Sequence, residues 1–485
     1  MERPASLDRR RFLARAGLVG AALAVPGVAA CRTEASKTRN APPQASNAAV
    51  PKKLLDEAKD FEGQTTRTLS TRQYFDKANT AVENILQTFA KDTKTTVKNA
   101  TFNADEGNFV AKQQAAVRAG NVADMASVDA GRFVSQMHEL DLIEDVTDVV
   151  DELVAELGTA GGTAEYSLVI DGKWWGIPFY SMGSGVFARK DWLEEKGIAY
   201  EDIKTFEDAR DAALEISNPD QQRYGWGLTV NRGGDANGLV ESLINAYGGG
   251  ISDDAGEKVV FNSRETIEAV RFLSEIYTSD KYKPMLPPGV MSWTDTGNNE
   301  AYLAGVTGFT LNSYSIYAEA MTTGNAVHPV TWTFPGFAGP ATDVSLTTAG
   351  VMAFVIFKGA KNPDLAKIVA KYLASGDGLL PLAKDAGALV YPAYEKVWNS
   401  DPFYLEGDPI FKPTYELATK ELPIETTTGY HFPQDASPGR GAVGQAYILT
   451  DMMGEIIQKG VEVETAVENA HKRMVQTFEQ LGFKQ

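Results

Sequence analysis

One cysteine, four histidines and a shortage of positive charge set the first limits on this 485-residue chain. A lone thiol, Cys31, has no partner for an intramolecular disulfide and cannot build a thiolate metal cluster. His138, His328, His431 and His471 are scattered without ligand spacing, so neither a zinc site nor any other cofactor is expected. Lys and Arg number 46 against 64 Asp and Glu, leaving a net charge of −18. So acidic a globule is repelled by phosphate backbones, which excludes nucleic acid as an expected partner. The P-loop, the H-E-x-x-H helix and the G-x-S-x-G elbow are all missing. After residue 30 no apolar run approaches the ~20 residues that cross a bilayer.

What is present begins at the N-terminus. Arg9, Arg10 and Arg11 precede Phe12 and Leu13, and the uncharged run Ala16 to Val28 follows. A basic region, a short apolar stretch and small residues before a cleavage point make an export signal of the twin-arginine kind over residues 1–30. Val28-Ala29-Ala30-Cys31 resembles the lipobox of bacterial lipoproteins, in which the thiol is acylated and becomes the mature terminus. The resemblance implies lipidation at Cys31 and a membrane partner reached through that anchor. Residues 31–64 are expected to form the anchor and a tether, because Thr33 to Val50 is rich in Ala, Pro, Ser, Asn and Gln and has no apolar period. The remainder is long enough for two domains with separate cores.

Along the body, helical and strand signals alternate. Val82, Ile85, Leu86 and Phe89 recur at helical spacing, Thr95 to Asn99 reads as a strand, Phe109 to Val117 as a helix closed by Gly120, and Val122 to Val128 as a short buried strand. Thr205 and Asp208 form a capping-box start for a helix over 206–216, and 262–265 is a similar start before Ile267 to Tyr277. Gly350 to Phe357 is almost continuously apolar, as in a strand covered on both faces. Helices are expected over 365–374, 447–459 and 463–478. Thr65 to Phe75 should supply the first strand, although Leu69 is its one large aliphatic residue. The alternation predicts an α/β fold, a parallel sheet covered by helices.

The order of these pieces resembles the extracellular solute-binding proteins of the maltose-binding type, receptors of ABC importers. The stretches that carry it are Ala123 to Asp129, Asp171-Gly172-Lys173-Trp174-Trp175-Gly176-Ile177-Pro178, Val186 to Ile198, Lys204-Thr205-Phe206, Gly305 to Leu311 and Ala349 to Leu373, spread over Ala81 to Gly482. The resemblance implies a two-lobed periplasmic-binding-protein-like fold with discontinuous lobes and a hinge of crossover segments. Residues 65–178 and 349–398 would form lobe 1, and 179–348 and 399–485 lobe 2. Crossovers are expected near Ile177 to Ser181, near Pro340 to Thr348 and between Tyr391 and Pro402. The implied protein is an exported, lipid-anchored monomer on the outer face of the cytoplasmic membrane, which binds a small solute and hands it to permease subunits.

A sugar offers apolar C–H faces and a rim of hydroxyls, so its site wants aromatic plates and planar hydrogen-bonding groups. Trp174 and Tyr180 flank the first crossover; Trp226, Trp293 and Trp332 fall near strand ends or loops of the second lobe. Each has core packing as its alternative, whereas Trp192 and Trp398 read as core outright. Asp129 directly follows a buried strand, where open α/β sheets bind ligands, and the resemblance aligns it with a sugar-contacting position. Asn103, Asp105 and Glu106 follow the preceding strand, with a solvated turn as the alternative. Asn312 and Ser313 stand where relatives place ligand contacts, and Arg440 is a candidate fork for hydroxyls or a carboxylate.

Enzymatic readings are weaker. Gly183 to Ala188 fits G-x-G-x-x-A, but its acids, Glu207 and Asp208, lie in a helix start, so no dinucleotide site is expected. The chain is read as a binding protein and not an enzyme, with an anchored glycoside hydrolase as the catalytic alternative. A polyol, polyamine or peptide remains the alternative solute.

Overall fold

Helix and strand alternate through the first three strands, and runs of helices follow later in the chain. The computed structural model describes residues 49–73, 76–104, 108–334, 336–341, 349–408, 410–411 and 437–485. The export signal, Cys31, most of the expected tether, Asp105, Glu106 and positions 342–348 of the second crossover lie outside those residues.

The expected tether ends earlier than residue 64. Helix α1 (Ala49–Ala58) buries Leu54 and Ala58 in the core, one turn apart on one face. Lys53 bonds Glu152 at 2.8 Å and Glu156 at 3.0 Å, so ionic contacts add to the apolar ones. A short apolar face within a polar segment is what composition averages conceal.

Strand β1 (Thr65–Thr71) forms as expected despite its thin apolar content. It is paired in parallel on both sides, with β2 (Thr96–Phe102) and β3 (Met125–Asp129), and buries Thr66 and Thr68. Their β-branched chains suit a pleated surface, and Thr68 Oγ1 donates to Asn99 Oδ1 at 2.8 Å. Between these strands run α2 (Asp76–Thr93) and α3 (Phe109–Arg118); α4 (Ala130–Glu139) leaves directly from β3. Next come α5 (Thr147–Leu157), α6 (Gly162–Leu168), the hairpin β4 (Val169–Ile170) and β5 (Lys173–Trp174), and the long strand β6 (Ile177–Arg189). Asp124, almost fully buried, accepts from the backbone N–H groups of Arg67, Lys361 and Asn362 at 2.7, 2.6 and 3.0 Å, which explains a carboxylate in the core.

The chain then builds a second set: α7 (Phe206–Glu215), β7 (Tyr224–Trp226), α8 (Gly234–Ala246), α9 (Arg264–Thr278), α10 (Asp295–Leu303), β8 (Thr307–Ser313), α11 (Ser315–Thr323) and β9 (Thr331–Phe334). Thr205 and Asp208 make the reciprocal capping box that the sequence predicts for α7, and Ser263 caps α9 through the N–H of Thr266. β10 (Ala349–Ile356) returns to the first set, followed by α12 (Pro363–Ala374), α13 (Gly376–Ala386) and β11 (Tyr391–Pro392). Helices α14 (Pro438–Gln445), α15 (Ile448–Lys459) and α16 (Val463–Gln480) complete the second set.

The main sheet has the order β2-β1-β3-β10-β6-β8-β7, with β9 and β11 also paired to β6. It is not purely parallel: β10 lies antiparallel to both β3 and β6, and β6 antiparallel to β8. Val351 to Ile356 are buried on both faces of β10, as its apolar run requires. Two cores result. Phe89, Phe133 and Phe354 belong to the first; Trp226, Phe309, Leu449 and Phe478 belong to the second. β6 feeds both, because alternate side chains point to opposite faces: Phe187 enters the first core, Val186 and Ala188 the second. Tyr404 and Phe411, expected in the second lobe, pack in the first core beside Trp398, and Tyr314 and Ile316 of the α11 region join them. Trp192 and Trp398 are buried, as expected of core residues.

His138 lies against Trp175 with ring centroids 4.1 Å apart. Burial holds the imidazole below its ordinary value, against the opposing pull of Glu139, Asp171 and Asp141. The folded state therefore binds its proton less readily than the unfolded chain, and stability is lost as pH falls from about 6.5 towards the lower folded value. Urea midpoints at pH 7.5 and 5.5 should fall less in His138→Phe than in the parent. An equal fall in both would assign the acid sensitivity elsewhere, for instance to His471, which burial also lowers.

Candidate functional site

Register on β6 brings two strand edges face to face. Met352 pairs with both Asp129 and Tyr180, so the C-terminal end of β3 is level with Tyr180. From the other half Ser313, the last residue of β8, pairs with Ser184. Four residue steps along β6, from Tyr180 to Ser184, separate the two rows, about 13 Å of extended strand. Both half-sheets thus aim their carboxyl ends at one cleft floored by residues 180–184, the edge where open α/β sheets hold ligands.

The first wall carries Asp129, at the junction of β3 and α4, and Asn103, exposed just past β2. Tyr180 lies behind them, almost fully buried. Burial pushes its phenol above the ordinary value; the nearby Asp129 carboxylate adds to the rise, and the hydrogen bond with Gln73 opposes it. A recess with room for about one water runs behind this wall, polar at Ser70, Thr71, Gln73 and Ser127 and apolar towards Leu86 and Leu382. Arg132 stands in the first turn of α4. Its guanidinium donates to Tyr447 Oη at 3.0 Å and lies over the Tyr447 ring at 5.8 Å.

The second wall is built from the ends of β7 and β8. Thr229 Oγ1 donates to the Trp293 carbonyl at 2.7 Å and Asn231 Nδ2 to the Ser292 carbonyl at 3.1 Å, which ties the half-buried Trp293 to the loop after β7. Asp295 accepts from the N–H groups of Gly234 and Asp235, at 2.8 and 3.2 Å, and so caps α8 from another helix. Asp235 Oδ2 in turn accepts from Asn298 Nδ2 at 2.9 Å and Asn312 Nδ2 at 2.8 Å. Asn312 Oδ1 accepts from Ser315 Oγ at 2.9 Å, and Ser313 Oγ donates to Ser315 Oγ at 3.0 Å. Asn312 and Ser313 reach the cleft edge, but buried Asn312 spends its polar atoms on this network and positions its neighbours.

Arg232, in the same loop, makes a forked pair with Asp451 at 2.7 and 2.9 Å and lies over the second-half Tyr447 at 5.8 Å. Tyr447 adopts φ 54°, a left-handed conformation uncommon outside glycine, at the start of α15. Arg132, Arg232 and Tyr447 thus join the walls, and none of the three is among the residues that the sequence marks for the site. One signal was available: Arg132 sits one turn beyond Asp129 at a helix start.

Four candidates are placed elsewhere. Trp226 is buried in the second core with its indole N–H on Tyr277 Oη at 3.0 Å, so no ring face is open to a ligand. Trp332 pairs with Ala188, four residues beyond Ser184 and away from the cleft, and packs on Tyr200 at 4.0 Å. Trp174 is in the hairpin before β6, at the opposite edge from Asp129, with its backbone N–H on Thr147 Oγ1. Arg440 is largely buried in α14 and pairs with Glu241 of α8, which makes it a brace between helices. Gly183 to Ala188 runs as continuous strand, not the strand-to-helix turn that a dinucleotide needs. Among the described residues no group of three or more His, Cys, Asp or Glu is placed to hold a metal.

Comparison with known proteins adds family and fold. The profile of the bacterial extracellular solute-binding protein family matches residues 84–412. A mannitol-binding protein of Pseudomonas aeruginosa is 26% identical over 269 residues, which cover 54% of this chain and 58% of that relative; the match thus spans little more than half of the relative's length. A maltose-bound protein of T. maritima superposes with a TM-score of 0.72 at 18% identity, over 85% of this chain and 99% of the other. A solute-binding protein of Agrobacterium vitis with bound D-mannitol gives 0.69 at 18%, over 87% and 100%. One from Thermotoga lettingae with bound α-D-tagatose gives 0.71 at 16%, over 86% and 100%. At these identities the superpositions establish the two-lobed, periplasmic-binding-protein-like fold.

Proposed function

Since the chain belongs to the family of bacterial extracellular solute-binding proteins, we propose that it is the receptor of an ABC-type importer and closes its two lobes on a sugar or polyol. The observation that carries the reading is the cleft itself: two strand edges face each other across β6, and Asp129, Asn103, Trp293 and Arg132, each at least partly exposed beside it, are the lining this reading assigns. Planar acceptors and donors beside aromatic rings suit a ligand with hydroxyls on its rim and C–H groups on its faces. Mannitol, tagatose and maltose, named with the relatives above, are ligands of that chemistry.

In this reading the ligand stabilises the closed state by touching both lobes, and β6 with the other crossovers takes up the hinge motion. In this reading the lobes part within β6 and at the return into β10; the core contacts of Tyr314, Ile316 and the stretch 402–411 favour giving them to lobe 1, against the sequence expectation. The family is one of binding proteins, so the solute leaves the cleft chemically unchanged. Export by the twin-arginine-type signal, acylation at Cys31, delivery to permease subunits and action as a monomer complete the proposal; no helix among the described residues is long and apolar enough to cross a membrane.

Calorimetry against sugars, polyols, amino acids and polyamines tests this. A hexose or hexitol is expected to bind and to be recovered intact, and a hundredfold excess over Kd should raise stability by about 2.7 kcal/mol. Binding confined to peptides or polyamines would overturn the ligand class, and hydrolysis of a bound glycoside would overturn the receptor reading.

A further inference from the structure

Helix α14 of the second set packs on helix α4 of the first, beside the strand end that carries Asp129. Gly441 of α14 sits so close to the start of α4 that a Cβ there would lie 3.3 Å from the Arg132 carbonyl oxygen and 3.7 Å from that of Gly131. Gln445 Nε2, at the end of the same helix, donates to the Arg132 carbonyl at 2.8 Å and to Gln136 Oε1 at 2.6 Å. Just beyond, Arg132 donates to Tyr447 Oη. Helix α14 and the start of α15 therefore lie on the first turns of α4 at near-backbone contact, where α4 leaves β3 for its face of the sheet. Between α4 and α14 there is no width for a sugar ring, whose thickness alone matches a van der Waals layer on each side.

We infer that the cleft is blind at its α4–α14 end and recognises its ligand end-on, as a single monosaccharide, an acyclic polyol or the terminal unit of a linear chain. This rests on the reading of the cleft as a carbohydrate or polyol site. A ligand held by a middle segment must leave the cleft on both sides, and a cyclic oligosaccharide has no end to present. Both are excluded as long as Gln136, Gln445 and Gly441 hold the two helices together.

Calorimetry on the full chain with D-mannitol, D-glucose, maltotriose and α-cyclodextrin decides it, together with the double variant Gln136→Ala/Gln445→Ala. The expected result is that the best linear ligand binds at least tenfold more tightly than α-cyclodextrin, and that the gap narrows in the double variant. Binding of α-cyclodextrin within tenfold of the best linear ligand would overturn the blind end and leave the receptor reading standing. A gap unchanged in the double variant would also overturn it, since the discrimination would then arise elsewhere. If no ligand of the set binds, the carbohydrate reading falls and this inference falls with it.

Discussion

Asn312→Leu is expected to destabilise the protein by about 3 kcal/mol, since each buried polar partner left unsatisfied costs about 1–3 kcal/mol. The substitution keeps the volume and removes both ends of a bridge. Asp235 loses the amide at 2.8 Å, and the hydroxyl of Ser315, itself buried, loses its acceptor at 2.9 Å. Asn298 still reaches Asp235, which limits the loss to part of the carboxylate's coordination. In a urea titration the midpoint should fall with the slope unchanged, because the compactness of the native state is preserved. Ligand binding should weaken as well, since the network sets the position of Ser313 and of the α8 start on the second wall. A variant as stable as the parent would show that the network contributes no net stability, as happens when polar clusters merely replace water.

Arg132→Ala should cost about 1.5–3 kcal/mol of ligand affinity, roughly 10- to 150-fold, the range for hydrogen bonds from a charged donor. The guanidinium is placed by backbone geometry at the start of α4 and reaches the opposite wall through Tyr447. Removing it takes away a forked donor and a contact that favours closure. Arg132→Lys keeps the charge and loses the planar fork, so it should recover only part of the affinity. The fold should tolerate both changes, because the side chain is only partly buried. Equal affinity in all three proteins would remove Arg132 from the site.

Much of the fold was legible because it is written in local pattern. The apolar run at 350–357 is a strand buried on both faces, and the capping box at Thr205 and Asp208 starts a helix where the spacing says it should. What local pattern cannot express is direction. Nothing within 349–356 tells that β10 runs antiparallel to both neighbours, since that depends on where the chain returns after the second lobe.

The site follows the same division. The position of Asp129 is legible because a residue just past a buried strand must be at the sheet's edge, wherever the rest of the chain goes. Trp226, Trp332 and Trp174 lie away from the cleft because a tryptophan's chemistry suits a ligand face and a core equally, and the choice is made by strand pairing that residue type does not express: β7 with β8 for Trp226, β9 with β6 for Trp332 and the β4–β5 hairpin for Trp174. The sequence around Tyr447 expresses only the start of a helix. Its neighbours Arg132 and Arg232 stand more than two hundred residues before it, and only the closed fold brings them together.

Strand β6 couples the two cores thermodynamically, since Phe187 lies in one and Val186 and Ala188 in the other. Neither half can melt and leave its partner whole, because the same backbone supplies the central ladder of both half-sheets. Damage to either core is therefore shared between them, and the two half-sheets are expected to unfold as one cooperative unit.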